Sequence, residues 1–347
     1  MVRILIVNDS VMVQQLLKRI VETEPDFELV GIANDGFEAM DLVKQKNPDV
    51  VLMDIRMPKC DGVEATRRIM KNNPCPILLV TATIKKHISL IYDCLAYGAL
   101  EVMKTPASIE ADGGELIKRI KIANTLKYIV QNKASSMSVD VEERKVLHSN
   151  PLLESINGKP ARKVVAIGAS TGGPSALLEV LKGLPENLAA GLILVQHIDA
   201  EFAPGLAEWF STCCPLRIYA GKKEDRVINS IGYVAAEDGH LIIQPGCTLR
   251  YQRKNPKDIY TPCIDVTFQS VADVYGPQAI GILLTGMGAD GAQGLKAIRQ
   301  AGGHTIAQDE KSSLIYGMPK AAKEIGAAEF ILPLKEISAK IVELLEK

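Results

Sequence analysis

Val164-Val-Ala-Ile-Gly168-Ala-Ser170-Thr-Gly-Gly173-Pro174 is the stretch from which the fold of this chain is read. Its short β-branched run predicts a buried strand over Val164 to Ile167, and its glycines predict a tight turn. Ser175 to Leu184 then carries apolar residues at helical spacing. Strand, glycine turn and helix in immediate succession are the unit of a layered α/β fold. The same alternation continues through Gly191 to Gln196, Ile280 to Leu284 and Thr305 to Ala307, which predicts a doubly wound parallel sheet. Gly221 to Tyr251 is rich in β-branched residues and turns and is expected to form a small antiparallel β insertion.

Upstream, strands expected at Val2 to Val7, Phe27 to Ala33, Val50 to Asp54, Ile77 to Thr81 and Leu100 to Met103 alternate with five amphipathic helices, the last over Gly114 to Leu126. Five β/α repeats imply a second parallel sheet with helices on both faces. Between about Gln131 and Pro160 the pattern fails and the composition suits a mobile linker. The expected organisation is therefore a first domain over 1–126, a linker over 127–160 and a second domain over 161–347. The chain's 347 residues are enough for two domains of ordinary size.

Forty basic against 41 acidic side chains provide no attraction to nucleic-acid phosphates or anionic lipid. The longest apolar runs, Leu192 to Val195 and Ile280 to Leu284, fall far short of the ~20 residues of a membrane helix. The N-terminal run meets Asn8-Asp9-Ser10 too early for a signal peptide. A cytoplasmic protein without membrane insertion or nucleic-acid partner is expected. Seven cysteines without a C-x-x-C pair indicate neither a zinc site nor a disulfide framework.

In an open parallel sheet, functional side chains gather beyond the carboxyl ends of the strands. The first domain delivers Asn8 and Asp9, then Asp54, Thr81 and Lys104 or Thr105 to that edge. With Met53-Asp54-Ile-Arg56-Met57-Pro58 and Asp61-Gly62, residues 2–126 resemble a two-component receiver domain of flavodoxin-like (βα)5 fold. The resemblance implies Asp54 as phosphoacceptor, a histidine kinase as phosphodonor and Thr81 and Lys104 as phosphoryl contacts. It also implies Mg²⁺ held by Asp9, Asp54 and the Arg56 backbone carbonyl, with Asn8 beside them, an oxygen donor set that suits this ion. Two positions depart from the receiver pattern. Asn8 stands where receivers place an acid, removing a negative charge from the metal pocket. Thr105 stands directly before Pro106, where the lysine is expected, so strand alternation aims Lys104 away unless the loop bulges.

In the second domain, Gly168 to Gly172 has the G-x-S-x-G form that lifts a serine hydroxyl above a sheet. A dinucleotide-binding G-x-G-x-x-G would need a glycine at Ser170, so a nucleotide-dependent oxidoreductase is disfavoured. A serine nucleophile needs a base, itself oriented by a carboxylate. Of five histidines, His87 and His148 fall in the receiver and linker. His240 follows Asp238-Gly239 in a turn, and His304 precedes a strand. His197 ends the strand Leu192 to Gln196 and is the best-placed base. Asp290, among three glycines after the strand Gly281 to Thr285, supplies the carboxylate or simply caps the next helix.

These residues, with Gln196-His197, Ile264-Asp-Val266, Leu284-Thr-Gly-Met-Gly-Ala-Asp-Gly291, Ala301-Gly-Gly303, Ala307-Gln-Asp-Glu310 and Tyr316-Gly-Met-Pro319, make residues 163–347 resemble the catalytic domain of the chemotaxis protein-glutamate methylesterases. The resemblance implies nucleophile Ser170, base His197, orienting acid Asp290, and oxyanion support from Met287 and Thr171. It implies chemoreceptor glutamate methyl esters as substrate, glutamate and methanol as products, deamidation of receptor glutamines, and no cofactor for the esterase. A receiver ahead of a hydrolase further suggests control of access to Ser170. Two other classes are set against this reading. A phosphorylation-controlled adaptor without turnover has no need to gather Ser170, His197 and Asp290 at strand ends. A DNA-binding regulator needs a basic recognition helix, which this neutral second half does not provide.

Overall fold

The structure, a computed structural model, describes residues 1–82, 88–137, 160–255 and 258–346. His87, His148 and residues 138–159 of the expected linker lie outside the described residues. The chain divides into two compact units, Met1–Val141 and Glu142–Lys347. Among the described residues no helix is long and apolar enough to cross a membrane.

The first unit is built as β1 (Val2–Val7), α1 (Val11–Glu22), β2 (Phe27–Ala33), α2 (Gly36–Lys46), β3 (Val50–Met53) and α3 (Gly62–Asn72), followed by β4 (Ile77–Thr81), α4 (Ile88–Ala96), β5 (Glu101–Lys104) and α5 (Gly114–Thr125). The five strands pair in the order β2-β1-β3-β4-β5, all parallel. This doubly wound order reverses between β1 and β3, so Asp9 and Asp54 follow the two strands that flank the switch point. β3 and β4 are buried at every residue, as strands covered on both faces must be.

A helix α6 (Lys127–Met137) continues the first unit where a linker was expected. Leu126 and Val130, one helical turn apart, are buried, and Lys127 pairs with Asp49 at 2.5 Å. The polar composition of the following segment hid this short apolar stripe, which is long enough to dock one helix.

The second unit is built on a seven-stranded parallel sheet. Its elements are β6 (Val164–Ala169), α7 (Gly173–Lys182), β7 (Gly191–Gln196), α8 (Ala203–Cys213), β8 (Arg217–Gly221), β9 (Ile231–Ala235), β10 (His240–Gln244), β11 (Thr248–Gln252) and α9 (Ile264–Tyr275). There follow β12 (Ala279–Leu283), α10 (Ala292–Gln300), β13 (His304–Gln308), α11 (Met318–Glu324), β14 (Phe330–Leu332) and α12 (Leu334–Leu345). The sheet order is β14-β13-β12-β6-β7-β9-β8. The antiparallel insertion exists, but it is smaller than the composition of Gly221 to Tyr251 suggested. Only β10 and β11 form it, whereas β9 joins the main sheet parallel to β7 and β8. The five residues of β9 are all buried, which fits an interior parallel strand and not a half-exposed hairpin.

Candidate active site

β6 lies between β7 and β12, with strand order reversing around it, so three neighbouring strands end at one switch point. Ser170 and His197 each stand one residue beyond the last β6–β7 pair, Ala169 with Gln196. The Gln196 side chain fastens the two ends together: its Nε2 donates to the Ser170 carbonyl at 2.8 Å and to the His197 carbonyl at 3.1 Å. From the other side, the Ser170 N–H donates to the Thr285 carbonyl at 3.0 Å. Gly286 packs so close that a Cβ there would collide with Met318 Sδ and Ser170 Cβ. Gly172, with φ at +76°, makes the turn into α7 that an L side chain would strain.

Asp290 and His197 meet at 2.7 Å between Oδ2 and Nε2. The same carboxylate accepts the N–H groups of Ile264 (2.8 Å), Asp265 (3.0 Å) and Gly291 (3.0 Å) and the Cys263 thiol (3.1 Å). It thus caps the N-terminus of α9, where backbone N–H groups favour an anion. Asp265 returns the arrangement, its Oδ1 accepting the Gly294 N–H of α10 at 2.6 Å. Each helix start is therefore capped by an acid from the other's approach. Burial pushes the Asp290 carboxyl up, but the hydrogen bond and charge of His197 and the α9 N–H groups outweigh it and hold it below its ordinary value. Asp265 has no such cation, and burial, with the charge of Asp290, raises it.

A carboxylate only accepts, so Nε2 carries the proton of the neutral His197 ring and the lone pair lies on Nδ1. Nδ1 is buried and has no hydrogen-bond partner among the described residues. The structure thus brings His197 and Asp290 together and sets Ser170 at the adjoining strand end, without closing the hydrogen bond from the serine hydroxyl to the imidazole. Such contacts often tighten only with substrate bound. Of the expected oxyanion donors, Met287 is half exposed on the turn after Gly286, and its N–H is committed to no hydrogen bond among the described residues. Thr171 is held through its carbonyl, which accepts the Thr285 hydroxyl at 3.1 Å.

Three participants escaped the sequence reading. Tyr260 stacks on His197, Cys263 donates to Asp290, and Gln196 clips the strand ends. Tyr260-Thr-Pro-Cys263 runs directly into Ile264-Asp-Val266, which was the available signal. His240 is not in a turn: it begins β10, is 1% exposed, and bonds Asp258.

In the first unit, Asn8 Nδ2 donates to Asp54 Oδ2 at 3.1 Å and the Ile55 N–H donates to Asp54 Oδ1 at 2.7 Å. Burial raises the Asp54 carboxyl, and the nearby charge of Asp9 adds to the rise, against the opposing Ile55 and Thr81 hydrogen bonds. β5 stays in register with β4 through Thr81 and Lys104 without a bulge. Lys104 is accordingly exposed, whereas Thr105 Oγ1 is buried without a partner among the described residues. Among the described residues no three acidic, histidine or cysteine side chains form a metal cluster. With Asn8 in the acid slot, the pocket offers two carboxylates and the Arg56 carbonyl. These are hard oxygen donors, which suit a small divalent cation.

Two parallel-sheet units with polar switch points, one holding a phosphoacceptor-like aspartate and the other a serine beside a histidine–aspartate pair, describe a regulated hydrolase. Residues 4–121 match the response regulator receiver domain and residues 165–341 match the CheB methylesterase family. The chain belongs to the CheB methylesterase family. It is 40% identical over 347 residues to protein-glutamate methylesterase/protein-glutamine glutaminase 1 of Pseudomonas fluorescens, covering 99% of this chain and 100% of that one. It is 38% identical over 346 residues to protein-glutamate methylesterase/protein-glutamine glutaminase of Mesorhizobium japonicum, covering 99% of each. The crystal structure of the Thermotoga maritima CheB methylesterase catalytic domain superimposes with a TM-score of 0.51 at 32% identity, covering 55% of this chain and 100% of that one.

Proposed function

We propose that this protein hydrolyses glutamate γ-methyl esters on chemoreceptors to glutamate and methanol, deamidates receptor glutamines at the same site, and is regulated through Asp54. The observation that carries the reading is the His197–Asp290 pair, held at the end of the sheet beside Ser170. As Ser170 Oγ attacks the ester carbonyl, His197 Nδ1 takes its proton, and the Asp290 carboxylate stabilises the imidazolium. The Met287 and Thr171 N–H groups donate to the oxyanion, where each such donor contributes about 10²- to 10³-fold. The imidazolium returns the proton to the departing methoxide, giving methanol, or to the amide nitrogen of a glutamine, which departs as ammonia. A water deprotonated by Nδ1 then releases glutamate and restores the serine.

In the receiver, Asp54 is the phosphoacceptor, a chemotaxis histidine kinase the phosphodonor, and the Thr81 hydroxyl a phosphoryl contact; Lys104, exposed at the end of an unbulged β5, contacts the phosphoryl group only by folding its long side chain back over the strand end. Asp9, Asp54 and the Arg56 carbonyl would hold Mg²⁺, which when bound neutralises charge on the transferring phosphoryl group. The protein works in the cytoplasm, where receptor signalling helices and the kinase are accessible.

The direct test is methanol release from methylated receptor membranes. Ser170→Ala should lower the rate by about 10⁶-fold, to the assay floor. Equal release by wild type and variant would refute the esterase reading.

A further inference from the structure

Tyr260 lies face to face on His197, ring centroids 4.6 Å apart and planes within 7°. It comes from the loop between β11 and α9, outside the three strands that deliver Ser170, His197 and Asp290. We propose that Tyr260 is a positioning residue for hydrolysis, its ring fixing the plane of the imidazole so that Nδ1 stays aimed at Ser170. The proposal rests on the triad reading above.

The hydrogen bond from His197 Nε2 to Asp290 holds one edge of the ring and leaves the ring free to tilt about that contact. Nδ1 has no hydrogen-bond partner among the described residues, so no polar contact there sets the angle. The stacked tyrosine supplies this second constraint. A flat aromatic face also tolerates the imidazolium that forms during attack, because the ring's negative face attracts a cation.

The tyrosine is itself held in place. Its hydroxyl lies over Gly288, where a Cβ would approach Tyr260 Oη to 2.7 Å, so a side chain at Gly288 would displace the ring. Two residues before it, Asp258 Oδ2 accepts His240 Nε2 at 2.7 Å and the Asn255 N–H at 2.6 Å. Three residues after it, the Cys263 N–H donates to His240 Nδ1 at 3.1 Å. Buried His240 thus pins both ends of the Asp258 to Cys263 loop with its two ring nitrogens. Both being engaged, this second histidine–aspartate pair has no lone pair to offer a nucleophile, and its role is to hold the loop. Cys263 and Ile264 in turn donate to Asp290, so one segment fixes the stacking ring and the orienting carboxylate relative to each other.

The test measures kcat and KM for methanol release from methylated receptor membranes with the full-length protein, after circular dichroism has shown each variant folded. Tyr260→Leu should lower kcat about 10- to 100-fold, the cost of a misplaced catalytic group, with KM unchanged. Tyr260→Phe, which keeps the ring and loses the hydroxyl, should retain wild-type kcat. Equal losses in both variants would place the effect in the hydroxyl and overturn the proposal, as would a loss confined to KM or an unaltered Tyr260→Leu. Wild-type release no greater than that of Ser170→Ala would instead remove the triad itself, a result distinguishable from any of these.

Discussion

Asp54 and Asp290 both lie beyond the carboxyl end of an interior parallel strand, the first directly after β3 and the second at the end of the glycine turn that follows β12, and both are withdrawn from water, yet their carboxyls are displaced in opposite directions. Burial dominates at Asp54, and the neighbouring charge of Asp9 adds to the rise. At Asp290 burial acts the same way, but His197, three backbone N–H groups and a thiol surround the carboxylate, and the net effect is downward. The contrast separates two ways of using a strand-end acid. Asp290 is a permanent anion whose counter-charge, the imidazolium, is generated inside the site. At Asp54, burial and the charge of Asp9 outweigh the hydrogen bonds that favour the anion, as suits a group meant to receive charge and metal from outside.

The most severe way to probe this contrast is to remove the charge at the complete site. Asp290→Asn keeps the shape, but its amide NH₂ can face Nε2, which favours the wrong imidazole tautomer. kcat for methanol release should fall about 10⁴-fold, the loss that follows when an orienting acid is replaced in this way. A fall of less than tenfold would show that the backbone cap around Asp290, and not its charge, is what catalysis needs. Asp54→Asn tests the other acid: it should abolish labelling by acetyl phosphate while leaving basal hydrolysis unchanged.

The same contrast explains what the sequence disclosed. Ser170, His197 and Asp290 were legible because each follows a buried apolar run and a glycine-rich or polar stop, and strand ends in a parallel sheet converge. Their convergence needed only topology. Tyr260, His240 and Cys263 were not legible, because their roles depend on how a loop folds back from a two-stranded hairpin, and no periodicity records that. The extent of the antiparallel insertion was misread for a related reason. β9 carries the same β-branched residues as a hairpin strand, and only its burial at every residue distinguishes it as a member of the main sheet. In the receiver, the sequence showed Thr105 in the lysine's slot, but the unbroken β4–β5 register was needed to show which of Lys104 and Thr105 turns inward.

Smaller effects sharpen the comparison. A chain beginning near Lys159, freed of the receiver, should release methanol faster than the unphosphorylated full-length protein, on the order of 5- to 150-fold if regulation has an ordinary coupling energy. Equal rates would remove autoinhibition from the account. Asn8→Asp should restore a third carboxylate to the receiver pocket and lower the Mg²⁺ concentration needed for Asp54 labelling about tenfold, since one more charge at close range adds more than 1 kcal/mol even with strong screening. An unchanged Mg²⁺ requirement would show that the ion does not approach Asn8.

The smallest effect is thermal, and its sign is opposite in the two units. A carboxyl with a lowered folded pKa adds stability above its unfolded value of about 3.9, and that stability is lost as the pH falls through the folded value. A carboxyl with a raised folded pKa behaves in reverse: folding is unhindered at low pH, and stability is lost as the pH rises through the folded value. At pH 7, neutralising Asp290 should therefore lower the melting temperature of its unit, and neutralising Asp54 should raise that of the receiver. Each kcal/mol corresponds to about 2–4 °C in domains of this size. Both differences should shrink when the melts are repeated near pH 3, where fewer of these carboxyls are ionised in either state. Differential scanning calorimetry of Asp54→Asn and Asp290→Asn reads both signs directly. Shifts in the same direction would mean that the two acids are not electrostatic opposites, and that Asp54 already has an internal counter-charge.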